Sequence, residues 1–143
     1  ADNSSYLCSD RKDSTYIYMK NIAETYWKRK KMPIPHLLLS DYEGRNVWSH
    51  KGIVHWRGMN ICMVTDGYWR NKSATNLLDI DYMYLCKGYK GEIAPLQKLF
   101  HIKRIVLDAS LGDYKSKAYK EECKTLGLDY IDISEKGSFR ILL

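Results

Sequence analysis

The sequence predicts an α/β domain in which a mixed β-sheet carries helices on its faces. Three observations lead there. The second half alternates short β-branched or aromatic runs with helical periodicity. A β-hairpin signal stands just upstream of that alternation. A chain of 143 residues, 45% hydrophobic and 28% charged, suits one buried core better than two, so residues 1–143 are read as a single soluble domain.

The elements follow in order. The first forty residues read as irregular, with a short strand at Tyr16–Met19 and then a helix from about Ile22 to Lys31. Ile22, Ala23, Tyr26 and Trp27 share one face of that helix. Lys28, Arg29, Lys30 and Lys31 close it at the negative end of its dipole, and Pro33 and Pro35 stop it. Closing the helix accounts for this basic run; phosphate contact is the sharper alternative. Residues Ile53–Trp56, the turn Arg57-Gly58 and Asn60–Val64 form the hairpin. Asp81–Leu85 then reads as strand, Ile93–Phe100 as helix, Arg104–Leu107 as strand and Tyr114–Leu126 as helix. Asp113 is the expected N-cap of this last helix and Gly127 its C-terminal stop, with Ala118, Tyr119, Cys123 and Leu126 as the buried stripe. Tyr130–Ile133 and Ser138–Leu142 read as the final strands.

Composition narrows the functional classes. No stretch approaches the length of a membrane-spanning helix. The chain starts at Ala1 without a signal segment and is expected to be a fragment of something larger. A net charge of +6 at pH 7 favours an anionic partner, either nucleic acid or an acidic membrane surface, although it also serves solubility. Cys8, Cys62, Cys86 and Cys123 lack zinc-site spacing, and the last three are expected to be buried thiols, with a disulfide left open. His36, His50, His55 and His101 show neither helical nor strand metal-ligand spacing and are read as structural. Ser110, Ser134 and Ser138 lie outside any nucleophile elbow.

In α/β sheets chemistry gathers in loops beyond the strand ends. Three such loops stand out: Thr65-Asp66-Gly67, CKGYKG from Cys86 to Gly91, and Asp108-Ala109-Ser110 through Lys115. Asp66 and Asp108 are common turn residues first and metal or base-orienting residues second. The CKGYKG loop lacks a nucleotide P-loop pattern. Its Lys87 and Lys90 flank Tyr89, a combination suited to phosphates and stacked bases.

Several longer stretches carry a resemblance. GMNICMVTD looks like a strand ending in threonine, glycine and aspartate, DYMYLCKGYKG like one running into serine, two histidines, glycine and serine, and LGLDYIDISEKGSFRI like a closing strand, glycine turn and last strand. From Gly58 onward this order resembles the second half of the metallo-β-lactamase-like domain that ends ComEC-type DNA-uptake channel proteins. It is also similar to the histidine-less versions of the Bacteroides group. The resemblance covers roughly 85 residues and leaves Ala1–Arg57 poorly matched. It implies a degenerate metallo-β-lactamase-like fold and a parent in the inner membrane, with this domain on the periplasmic side.

Of the family's metal-ligand positions only Asp66 is retained; the two histidines correspond to Lys87 and Gly88, and a later one falls near Ser116. One Asp cannot hold a dinuclear zinc site, so neither metal nor cofactor is expected. The resulting expectation is a non-catalytic domain that contacts incoming DNA, with single-stranded DNA and the remainder of the channel as partners. The DNA surface is assigned to Lys87, Tyr89, Lys90, Lys115 and Lys117. The alternatives are a magnesium nuclease rebuilt from Asp66, Asp108 and Asp113, and a purely structural interaction module.

Overall fold

The alternation of strands and helices in the second half is realised as a mixed sheet. A computed structural model describes residues 4–8, 14–38 and 41–141. The chain divides into two compact units, Ala1–Lys51 and Gly52–Leu143.

In the first unit, β1 (Tyr6–Cys8) is followed by α1 (Ser14–Arg29), β2 (His36–Leu38), β3 (Tyr42–Glu43) and β4 (Val47–His50). β1 pairs with β2 in parallel and β3 with β4 antiparallel. The strand expected at Tyr16–Met19 is instead part of α1, which absorbs it together with the helix expected from Ile22. The C-terminal stop comes earlier than expected and has a local cause. Lys31 adopts a left-handed conformation (φ 53°), while its N–H bonds Lys28 O and that of Met32 bonds Trp27 O. These are the two hydrogen bonds of a Schellman turn, which satisfies the last carbonyls before either proline is reached. The basic residues do stand at the helix C-terminus, where Lys28 and Arg29 occupy the last turn.

The second unit holds β5 (Ile53–Trp56), β6 (Met59–Val64), β7 (Leu78–Ile80), β8 (Tyr82–Leu85), β9 (Phe100–Ile102), β10 (Arg104–Leu107), α2 (Asp113–Leu126), β11 (Asp129–Asp132) and α3 (Ile133–Lys136). Five of these strands lie in the order β11-β10-β8-β6-β5. The β5–β6 pair is the expected hairpin: Trp56 faces Met59 across a two-residue turn in which Arg57 (φ 48°) and Gly58 (φ 79°) are both left-handed. That is the type I′ geometry whose twist matches the strands it joins. The pairs β6–β8, β8–β10 and β10–β11 are parallel. The mixed sheet read from the sequence is therefore present. β7 and β9 pair in parallel as a separate ribbon.

Register explains the core. Cys62, Met83 and Ile105 form one rung across the parallel strands, and Val64, Leu85 and Leu107 form the next. Because side chains alternate along a strand, all six face the same side, and all are almost fully buried. Tyr119 and Cys123 of α2 cover them together with Ile93 and Leu96. Each such aliphatic side chain contributes roughly 1.5–3 kcal/mol through its removal from water.

Four details differ from expectation. The segment expected to be a helix over Ile93–Phe100 is a 3₁₀ turn, Ala94–Lys98, because Pro95 removes a donor at its start and Phe100 is drawn into pairing with Leu78. Asp113 is the first helical residue of α2 instead of its cap; Gly112 holds the cap position and supplies no side-chain hydrogen bond. Ala118 of the expected buried stripe is exposed, whereas Tyr119 and Cys123 are buried and Leu126 packs against the core. Gly127 does terminate α2 in a left-handed conformation (φ 67°), and Leu128 N–H bonds Cys123 O in a second Schellman turn. After β11 the chain forms α3, and residues 138–141 are not strand; Leu142 lies outside the described residues.

Candidate nucleic-acid interface

Because β6, β8, β10 and β11 are parallel, their C-terminal ends share one edge of the sheet. Thr65-Asp66-Gly67, Cys86–Gly91, Asp108–Ser110 and Asp132 all leave from it, so the three loops singled out from sequence converge there. The backbones come very close. A Cβ at Gly88 would stand 1.8 Å from Thr65 O, so only glycine lets the loop after β8 lie against the end of β6.

The aromatic assignment is corrected. Tyr89 is not a surface ring offered to a base; it is 1% exposed and belongs to the core. Its hydroxyl donates to Glu92 O at 2.7 Å, and its ring fills the space that a side chain at Gly91 would need. Tyr119 Oη in turn donates to Gly91 O at 3.0 Å, tying the loop to α2. Lys115 also serves this junction: Nζ donates to Gly91 O at 3.0 Å and sits 4.4 Å from the centre of the Tyr119 ring. Lys87, Lys90 and Lys117 are exposed.

An aromatic residue that the sequence reading passed over stands on the same edge. Tyr68, two residues past Asp66, is exposed, with Lys72 Nζ 3.4 Å from its ring centre and Trp69 packed edge-on at 4.7 Å. Trp69 continues inward onto Phe100, which anchors the loop. Burial is the main influence on the Tyr89 phenol and raises its pKa, with the charge of Arg70 in this loop acting in the opposite sense. The dipeptide Tyr68-Trp69 directly after a flagged strand end was the available signal.

The carboxylates of the edge are engaged in local structure. Asp66 Oδ1 accepts from Tyr68 N at 2.8 Å, a turn-forming bond. Asp108 accepts from Tyr84 Oη at 2.8 Å and from Ser110 N at 3.0 Å. Burial is the largest influence on Asp108 and pushes its pKa up, but hydrogen bonds from Ser110, Tyr84 and Ala109 outweigh it and leave the pKa below the usual carboxylate range. Asp113 is exposed at the start of α2.

Among the described residues no three His, Cys, Asp or Glu side chains converge as a metal site. His50 pairs with Asp41 at 2.7 Å and His55 with Asn60 at 2.7 Å. None of the four cysteines forms a disulfide; Cys8 is exposed and the other three are buried. Burial pushes the Cys62 thiol up to about 12 and Cys123 up to about 11, so both stay protonated and poor metal ligands at neutral pH. Purified protein is accordingly expected to carry no stoichiometric zinc. About one zinc or more per chain by elemental analysis would overturn that.

Sequence reasoning also missed Asp132 at the end of β11. It is 4% exposed and accepts from Ser116 Oγ (3.1 Å), Ser134 Oγ (2.6 Å) and Ser134 N (2.8 Å), with Lys120 Nζ at 2.6 Å. Lys120 reaches Glu135 as well. Every partner is local or on α2, so the cluster locks α2 and α3 to the sheet.

A parallel-edged α/β domain whose loop edge is lined by lysines, without a metal constellation among its described residues, defines the class of this protein. The chain belongs to the ComEC C-terminal domain family, whose model matches residues 1–143. The match includes the first 57 residues, beyond the stretch where the sequence resemblance was legible. Membership links the chain to DNA uptake in competence and to a family of membrane proteins. Among the described residues no helix is long and apolar enough to cross a membrane. Neither a curated protein nor a solved structure matches the chain.

Proposed function

We infer that this domain is a non-catalytic, extracytoplasmic part of a ComEC-type DNA-uptake protein that contacts the incoming strand through the loop edge of its sheet, on a degenerate metallo-β-lactamase-like fold. The observation that carries this reading is the convergence on one edge of Lys87 and Lys90 with the loop bearing Tyr68, Arg70 and Lys72. Cations there neutralise phosphates, and an exposed tyrosine flanked by a lysine offers a face to any base. Tyr68 takes the stacking role first given to Tyr89, and Lys117 extends the cationic surface along α2. Lys115 supports the loop instead of reaching outward. The nuclease reading is less favoured, because Asp66 and Asp108 already accept turn hydrogen bonds and, among the described residues, neither belongs to a group of three metal-ligating side chains.

Binding is expected to be weak, indifferent to sequence and sensitive to salt. Fluorescence anisotropy with a short labelled single strand measures it. Replacing both Lys87 and Lys90 with Ala should reduce the slope of log K against log salt by roughly 0.7 per lost phosphate contact. Tyr68→Ala should cost about 1–3 kcal/mol. No binding at low salt, or unchanged binding when Lys87→Ala, Lys90→Ala and Tyr68→Ala are combined, would leave a structural interaction module as the better account.

A further inference from the structure

We propose that α1 and the turn after it form a docking surface for an anionic lipid bilayer. In the first unit Tyr18, Ile22 and Tyr26, spaced four apart, make one stripe along α1, and all three are exposed. Ile17, Met32 and Ile34 are exposed beside or beyond them, with Ile34 at 63%. An apolar concentration of this kind on a charged domain marks a contact surface.

Its charge selects the occupant. Residues 17–34 carry five cations against one carboxylate. Lys20 is the cation paired with that carboxylate, Glu24, whereas Lys28, Arg29, Lys30 and Lys31 are exposed and make no ion pair with a described residue. A nucleic acid would use the four cations but has no place for Ile17, Ile22, Met32 and Ile34. A bilayer uses both: aliphatic and tyrosine side chains enter the headgroup boundary while lysines and arginine meet lipid phosphates. The basic turn lies between two apolar groups, Tyr18 to Tyr26 on one side and Met32 with Ile34 on the other. Seating either group therefore brings the cations to the headgroups. None of these residues belongs to the loop edge assigned to DNA, and the two proposals stand or fall independently.

Flotation with phosphatidylcholine vesicles, with and without about 30% phosphatidylglycerol, tests the proposal. Binding is expected with the anionic vesicles and not with phosphatidylcholine alone. Replacing Lys28, Arg29, Lys30 and Lys31 with Gln should weaken partitioning roughly hundred-fold or more. Ile22→Asp combined with Tyr26→Asp should abolish it although the four cations remain. Both sets of positions are exposed, so circular dichroism should show unchanged folding. Lys87→Ala with Lys90→Ala should leave flotation intact. Equal binding to neutral vesicles, no binding to either, or loss of binding only in the Lys87 and Lys90 variant would overturn the proposal. So would an apolar stripe found buried in a dimer by sedimentation.

Discussion

Gly88→Ala is expected to destabilise the domain by about 3 kcal/mol or more, because the new methyl group would meet backbone and not a side chain able to turn away. Its Cβ would stand 1.8 Å from Thr65 O and 3.0 Å from Thr65 C. The two segments are held in place on both sides: Cys86 N bonds Val64 O and Tyr89 N bonds Cys86 O. Relief requires lifting the loop, which draws the Tyr89 ring out of the core and breaks its bond to Glu92 and the Tyr119 bonds to Tyr89 and Gly91. Gly112→Ala is the matched control. Nothing lies within 4 Å of its Cβ and its φ is −69°, so a change under about 1 kcal/mol is expected, the cost of a poorer helix cap. Urea unfolding of both variants measures the difference, and equal midpoints would refute the close approach.

Asp132→Ala should cost about 2–3 kcal/mol, somewhat below the roughly 3–5 kcal/mol for breaking a fully buried pair, since Lys120 retains water contact and its second partner, Glu135. The same residue sets an acid limit. Burial, the largest influence on Asp132, acts to raise its pKa. Hydrogen bonds from Lys120, Ser134 and Ser116 outweigh it and hold the carboxyl far below its usual range. The folded state therefore takes up this proton less readily than the unfolded chain. The stabilisation is complete above roughly pH 4, near the ordinary Asp value, and falls away as pH drops toward the depressed folded value. Lys120 is raised, chiefly by its bond to Asp132, so its share is complete below the ordinary lysine value near pH 10.4 and is lost as pH climbs through the raised one. Unfolding free energies of the parent and of Asp132→Ala should differ most between about pH 4 and 10 and converge in acid. A constant difference down to about pH 2 would show that the ion pair is not its source.

Patterning determined a good deal by itself. The Arg57-Gly58 hairpin, β10 and α2 with its Gly127 stop are legible because turn chemistry and periodicity are local properties, set by residues a few positions apart. The same reasoning picked out the three loops beyond strand ends, while their convergence on one edge follows from the parallel pairing of β6, β8 and β10 in the structure. Short apolar runs were not decidable that way. Residues 15–19, Thr-Tyr-Ile-Tyr-Met, have strand-like composition yet lie within α1, where the helix continues through them.

Only the tertiary structure decided what each loop residue does. Tyr89 and Tyr68 are both tyrosines in loops beside lysines and glycines, yet one is core and the other surface. Neighbours permit each placement, and distant positions fix it: Gly91 leaves room for the inward ring and Glu92 O accepts its hydroxyl, but packing under α2 holds it in the core, while Trp69 anchored on the distant Phe100 leaves Tyr68 at the surface. Asp132 reads as one more strand residue until Ser116 and Lys120, more than ten residues earlier, are brought onto it by the β10–α2–β11 crossover. Such roles depend on contacts made by folding, and sequence spacing carries no trace of them.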